Sequence, residues 1–323
     1  MKYQRIPGTD LVPSSIALGC ATLGKDPEPH VTFQLFDTYV EHGGTFLDTA
    51  KVYSDWLPGE KSQSEKTIGA WVRERRNRAS LTIATKGCHP ELSTMHVPRL
   101  SPAELRADIN ASLSHLDTDY IDLYWLHRDD PTRPVAEILD ALNAEVQAGK
   151  IRYFACSNWS VARIAEAAAY RDVQKCMGFC ANQVRFSLAH VEASRLSDPT
   201  SLAMDEAMFA YHEQTGLACA AYGSQAGGWF HKAKELARVP GSLDRMFESE
   251  VNRERMRRAQ HVAEATSRSL TQIVLGYLMA QPFPTFPIVG CRTKAQLLDS
   301  LEARNVELSL SMVQYLDGRR EYP

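Results

Sequence analysis

Between two stretches of helical period, Pro102–Leu116 and Val135–Ala148, the chain reads Ile121-Asp-Leu-Tyr-Trp-Leu-His127. This run is short, rich in strand-forming residues and closed by a histidine, and it reads as a buried strand. Ser101-Pro102 supplies an N-cap before a proline at N1, and Gly149 follows Ala148 as a C′ glycine. A strand set between two helices in this way belongs to a parallel sheet with helical crossovers.

The same alternation extends outward from about Ser15 to the C-terminus. Strand candidates are Ile16–Gly19, Thr45–Asp48, Leu81–Thr85, Ile121–Leu126, Ile151–Ala155, Phe179–Asn182, Leu217–Ala221 and Thr285–Val289. Further helical stretches are Val31–His42, Ser64–Arg76, Val161–Tyr170, Ser201–Thr215 and Thr271–Ala280. Eight βα units without a linker predict one domain over residues 1–323, an α/β fold of the (β/α)8 TIM-barrel type. An open dinucleotide-binding sheet needs a Gly-rich turn after its first strand, and here Ile16–Gly19 is followed by Cys-Ala-Thr-Leu-Gly24. The segment Tyr3–Pro13, around Pro7-Gly8-Thr9-Asp10, is expected to form an N-terminal β-hairpin plugging the barrel. Two long stretches, Lys86–Leu100 and Gly223 to about Glu248, are expected to be functional loops at the C-terminal face.

A formal charge of −3 and a pI near 6.4 give no chain-wide basic surface, which argues against nucleic acid or an anionic membrane as a partner. The polar start and the lack of any run of about 18 apolar residues lead to the expectation of a soluble, cytoplasmic protein. Seven cysteines, an odd number mostly inside apolar runs, read as reduced buried thiols. Cys176 and Cys180 lack a second pair or a nearby histidine, so no metal site is expected there.

Polar residues gather where the strands end. Asp48 closes the second strand, Tyr53 follows five residues on, Lys86 closes the third and His127 follows the fourth. Singly these are a turn residue, a half-buried aromatic, a solvated charge and a core histidine; a barrel brings all four to one rim. A buried charge needs a partner, so Asp48 and Lys86 are expected to pair. An ammonium beside Tyr53 is expected to lower its pKa from about 10, letting the phenol protonate an oxyanion.

In these residues the chain resembles the aldo-keto reductase family over nearly its whole length. The family pattern stands here as Asp48, Tyr53, Ala84-Thr-Lys86 and Leu126-His127, then Ser157-Asn158, Asn182-Gln183, Ala221-Tyr222 and Pro287-Ile-Val-Gly-Cys-Arg292. The resemblance implies Tyr53 as proton donor to a substrate carbonyl, Lys86 as the group tuning its pKa, Asp48 as the carboxylate positioning Lys86, and His127 as the donor orienting the carbonyl. It further implies NADPH, with NADH less favoured: Ser157, Asn158 and Gln183 at the carboxamide, Tyr222 stacked on the nicotinamide, Arg292 at the 2′-phosphate and Gln296 near the adenosine. The chain departs from the pattern at Asp299-Ser300, where relatives often have Glu-Asn, and at Gly223-Ser-Gln225, the expected pyrophosphate contact. Trp56, Trp159 and Trp229 read either as substrate-pocket aromatics, whose faces would pack on a sugar ring or another flat apolar substrate, or as core-packing and loop-anchoring residues; the substrate expected is a small carbonyl or alcohol. Arg128, Asp129 and Asp130 read either as substrate-hydroxyl ligands or as a salt-bridged loop. Competing functions are a cofactor-binding regulatory or structural subunit with vestigial turnover, and a barrel lyase, isomerase or metal-dependent hydrolase.

Overall fold

The computed structural model describes residues 1–322. Among them β1 (Ala17–Gly19), β2 (Phe46–Asp48), β3 (Thr82–Gly87), β4 (Ile121–Leu126), β5 (Ile151–Ser157), β6 (Ala181–Arg185), β7 (Ala218–Tyr222) and β8 (Thr285–Val289) pair in sequence order as a closed parallel barrel. β8 meets β1 through Ala17↔Ile288, which closes the ring. The expected (β/α)8 fold is the observed one.

Helices α1 (Pro29–Glu41), α2 (Gln63–Arg75), α3 (Pro102–Leu116), α4 (Val135–Gln147), α5 (Val161–Gln174) and α6 (Glu206–Thr215) each follow the strand of the same number. Ser101 caps α3 through a reciprocal box with Glu104, as a serine before a proline at N1 should. After β7 come α7 (Trp229–Glu235), α8 (Ser242–Phe247), α9 (Glu250–Thr266) and α10 (Leu270–Met279); α11 (Lys294–Glu302) and α12 (Leu310–Asp317) follow β8. The long stretch after Gly223 is therefore largely helical.

Six of the eight expected strands shift at a bound, the sixth the most, and one helix starts well after its expected position. The sixth strand runs from Ala181 rather than Phe179, because the Phe179 ring packs outside the barrel against Phe154 and Trp159. The helix expected from Ser201 begins at Glu206, capped by Asp205; before it the chain is extended, with the Met204 N–H donating to the Arg185 carbonyl.

The barrel interior is filled, not open. Ala17, Phe46, Ala84, Leu123, Trp125, Ala155, Ala181, Ala218, Ala220, Phe286 and Ile288 form one buried cluster in which bulky rings face alanines. Ile6 and Leu11, joined by an Ile6 N–H to Leu11 carbonyl bond, belong to the same cluster. Outward residues such as Leu18, Leu47, Ile83, Tyr124 and Phe154 make a second core with the helices.

Candidate active site

Strand side chains alternate, so every second residue along an interior stripe stays inward. Stepping two residues from the interior cluster toward the C-terminal rim leads from Phe46 to Asp48, Ala84 to Lys86, Trp125 to His127, Ala155 to Ser157, Ala181 to Gln183 and Ala220 to Tyr222. The packing that fills the barrel thus aims these six polar residues at one mouth.

Lys86 and Asp48 are 1% and 2% exposed and form an ion pair, with Lys86 Nζ donating to Asp48 Oδ2 at 2.6 Å and to the Thr49 carbonyl at 2.8 Å. Gln183 Nε2 donates to the other carboxylate oxygen, Oδ1, at 2.9 Å. Lys86 Nζ stands 4.6 Å from the centroid of the Tyr53 ring, and the His127 ring lies 5.8 Å from Tyr53 on another side. Burial works against the Lys86 charge, but Asp48 and Tyr53 outweigh it and hold the ammonium above its usual pKa.

The phenol corrects one expectation. Burial pushes the Tyr53 pKa up, and Lys86 opposes that shift without reversing it, so the phenol is held above its ordinary value. Tyr53 is consequently protonated throughout the neutral range.

His127 is buried and its Nδ1 has no hydrogen-bond partner. Burial first, then the charges of Arg128, His89 and Lys86, push its pKa well down. A neutral imidazole carries one N–H and one lone pair, which suits it to orient a carbonyl oxygen. The depressed pKa also fixes the sign of a pH effect: unfolded chains take up the proton below about pH 6.5, whereas the folded chain does not. Stability in urea should therefore fall with pH below that point, His127 contributing up to about 1.4 kcal/mol per pH unit on top of His89 and His212, whose pKa values burial also lowers, and His127→Asn should reduce the slope by that share. An unchanged slope in the variant would assign it to other groups.

A hydrogen-bonded relay ties the β4, β5, β6 and β7 ends together. Ser157 Oγ donates to the Gln183 carbonyl at 2.9 Å, and Asn158 Nδ2 donates to Ser157 Oγ at 3.0 Å and to the His127 carbonyl at 3.3 Å. Asn158 Oδ1 accepts from the Tyr222 hydroxyl at 2.8 Å and from the Leu202 N–H at 2.9 Å. The Tyr222 ring is thereby fixed at the edge of a cleft of about 1140 Å³. This cleft begins at Asp48 and Tyr53, passes Gly19, Tyr222, Gly223 and Ser224, and reaches Arg292, Gln296 and Ser300. Single small ligands usually occupy about 300–1,000 Å³, so its size suits an elongated, dinucleotide-like molecule.

The cleft's outer end is polar. Arg292 is two-thirds exposed, pairs with Asp26 at 3.0 Å, and precedes Thr293, the N-cap of α11. Gln296 Oε1 accepts the Arg292 N–H at 2.9 Å. At the departures from the family pattern, Ser224 Oγ donates to the Ile288 carbonyl, Gln225 donates to Ser300 Oγ, and Asp299 accepts from Ser269 and Gln272. Gly223 has φ +65°, a conformation costly for residues with a Cβ.

For two of the three tryptophans the packing alternative holds and the pocket one does not. Trp159 is fully buried outside the barrel, its ring 4.9 Å from Phe179, because the residue after inward Ser157 and left-handed Asn158 turns back toward the helices. Trp229 is equally buried, against Phe230 and beneath the Arg253 guanidinium. Neither offers a ring face to a ligand. Trp56 is half exposed and edge-on to Tyr53 at 6.0 Å, so it stays at the mouth.

Arg128, Asp129 and Asp130 form a salt-bridged loop: Arg128 pairs with Asp198 at 2.6 Å, Asp129 with Arg163 at 3.0 Å, and Asp130 accepts from Thr132. One site neighbour was absent from the sequence reading, His89, whose ring lies 4.6 Å from that of His127. No strand rhythm marks it, because it sits on the irregular segment after β3. All seven cysteines are free, five of them buried. Among the described residues no group of three or more His, Cys, Asp or Glu is placed to hold a metal ion, and no helix is long and apolar enough to cross a membrane.

A sequence model of the aldo/keto reductase family matches residues 15–321. The chain belongs to the aldo/keto reductase family. Among its relatives are a norsolorinic acid reductase of Emericella nidulans, 31% identical over 88% of this chain and 70% of that protein, and an aryl-alcohol dehydrogenase [NADP(+)] of Phanerodontia chrysosporium, 28% identical over 97% and 84%. A thermostable aldo-keto reductase solved with the inhibitor epalrestat superposes with a TM-score of 0.74 over 98% of this chain and 99% of its own; at 22% identity it speaks for the fold. In this family member Asp48 and Tyr53 line the inner end of the long cleft, with Lys86 paired to Asp48 and the His127 ring beside Tyr53.

Proposed function

We propose that this aldo/keto reductase reduces an aldehyde or ketone to an alcohol with NADPH, Tyr53 giving the proton. The observation that carries the reading is the buried Asp48–Lys86 pair against Tyr53 at one end of a cleft whose other end presents Arg292. The NADP(+) in the name of the Phanerodontia chrysosporium relative supports the choice of cofactor.

NADPH fits the residues present. Gln183 bonded to Asp48, and Ser157 and Asn158 bonded to Gln183 and His127, would hold the carboxamide, Tyr222 supplies a flat ring held by its hydroxyl, and Arg292 with Gln296 lines the far end of the cleft, where the 2′-phosphate would lie. Once bound, the cofactor supplies a hydride. The protein does the rest: His127 donates its N–H to the carbonyl oxygen, and Tyr53 transfers its proton to that oxygen as charge develops on it. Lys86 stabilises the phenolate left behind, and Asp48 with Gln183 keeps Lys86 in place. Loss of NADPH absorbance with a panel of aromatic and sugar-like aldehydes tests the reading. Binding of NADPH without turnover of any of them would favour the binding-subunit alternative.

Cofactor choice rests on Arg292. A charge-assisted bond to the 2′-phosphate exists only with NADPH, so Arg292→Ala should weaken NADPH about ten-fold and leave NADH nearly unchanged in a fluorescence titration at fixed salt. Equal loss for both nucleotides would make Arg292 a support of the loop, through Asp26, and no phosphate ligand.

A further inference from the structure

Arg185 ends β6 one inward step beyond Gln183, in register with Tyr222 on β7. Its neighbours at the mouth are matched, Arg128 by Asp198 and Arg163 by Asp129, whereas the Arg185 Nε is buried with no hydrogen-bond partner. The guanidinium lies over the Tyr222 ring, its Cζ 5.0 Å from the ring centroid. A Cβ on Gly223 would come within 2.9 Å of Arg185 Nη1, so the glycine leaves the guanidinium its space. Tyr222 and Gly223 line the long cleft, and the guanidinium lies against both, covering one face of the ring.

We propose that Arg185 makes the site select reduced over oxidised nicotinamide by holding a fixed positive charge behind Tyr222. The inference rests on the cofactor reading above, with the nicotinamide stacked on the free face of Tyr222. Reduced nicotinamide is neutral and oxidised nicotinamide carries one positive charge. A cation already attracted to one face of the ring leaves the second face a poorer seat for another. With the two charges roughly 9 Å apart, their repulsion is worth about ten-fold in affinity between bulk water and protein interior. The oxidised cofactor formed in each reduction is then released more readily, and the reduced form is not displaced by it.

The test compares wild type, Arg185→Gln and Arg185→Lys by fluorescence or calorimetric titration with NADPH, NADP+ and 2′-phospho-ADP-ribose, which has the phosphates but no nicotinamide. In Arg185→Gln, NADP+ should tighten about ten-fold relative to NADPH, equal to about 30 mV in the bound two-electron couple. Arg185→Lys, which keeps the charge, should retain most of the wild-type ratio. Affinity for 2′-phospho-ADP-ribose should hardly change, which also shows that the variants are folded. An unaltered NADP+ to NADPH ratio overturns the proposal, and so does equal weakening of all three ligands, which would make Arg185 a phosphate ligand. Failure of the wild type to bind either nucleotide would remove the cofactor reading itself.

Discussion

Tyr53→Phe is expected to lower kcat for carbonyl reduction by about 10²-fold or more while leaving the affinity for NADPH close to that of the wild type. Loss of a general acid has an effect of this scale. The substitution removes one hydroxyl and keeps the ring, so the Trp56 edge contact and the Lys86 approach to the ring face persist. The phenol makes no hydrogen bond that organises the relay through Asn158 and Tyr222, whose partners are Ser157, His127 and Leu202. The loss should therefore fall on kcat, with KM for the carbonyl changing little. Turnover within a few-fold of wild type would take Tyr53 out of the mechanism and leave His127 as the remaining candidate donor. The held-up pKa of Tyr53 gives the accompanying pH dependence: the donor is present at neutral pH, and reduction should decline only on the alkaline side, as pH rises toward the phenol's raised value.

Much of this site was legible because one rule, the two-residue period of strands, acts on both packing and chemistry. Asp48, Lys86 and His127 were readable as strand-end polar residues, and each lies two residues beyond an inward residue of the barrel cluster. The same rule, applied one step past Gln183, reaches Arg185, which the sequence reading passed over because it ended the sixth strand at Asn182. Reading failed where the period stops. Trp159 lies just beyond the end of β5 and Trp229 opens α7, where a left-handed Asn158 and the turn through Gly227 and Gly228 redirect the chain toward the outer core. His89 belongs to a segment without period, so only its place in space reveals it. The sign of the Tyr53 shift was illegible for another reason. The sequence named the charge beside the phenol, but the burial that outweighs it is a property of the assembled mouth.

The second large loss is expected at Lys86, where chemistry and stability are joined and have to be separated. Lys86→Met leaves Asp48 as a buried carboxylate with only Gln183 donating to its side chain. Removing one partner of a buried ion pair costs on the order of 3–5 kcal/mol, so the single variant should melt earlier and lose turnover together. Asp48→Asn combined with Lys86→Met removes the stranded charge, and its amide oxygen still has Gln183 as a donor; most of the stability should return. Turnover should not. Without Lys86 only the weaker pull of the Arg128 charge opposes burial at Tyr53, the phenol becomes a still weaker acid, and kcat should remain about 10²-fold or more below wild type. The sign at high pH follows: with the phenol pushed further up, whatever reduction remains should persist to higher pH than in the wild type. If the double variant regained kcat along with its melting temperature, Lys86 would serve only to neutralise Asp48, and the tuning of Tyr53 would have to come from elsewhere.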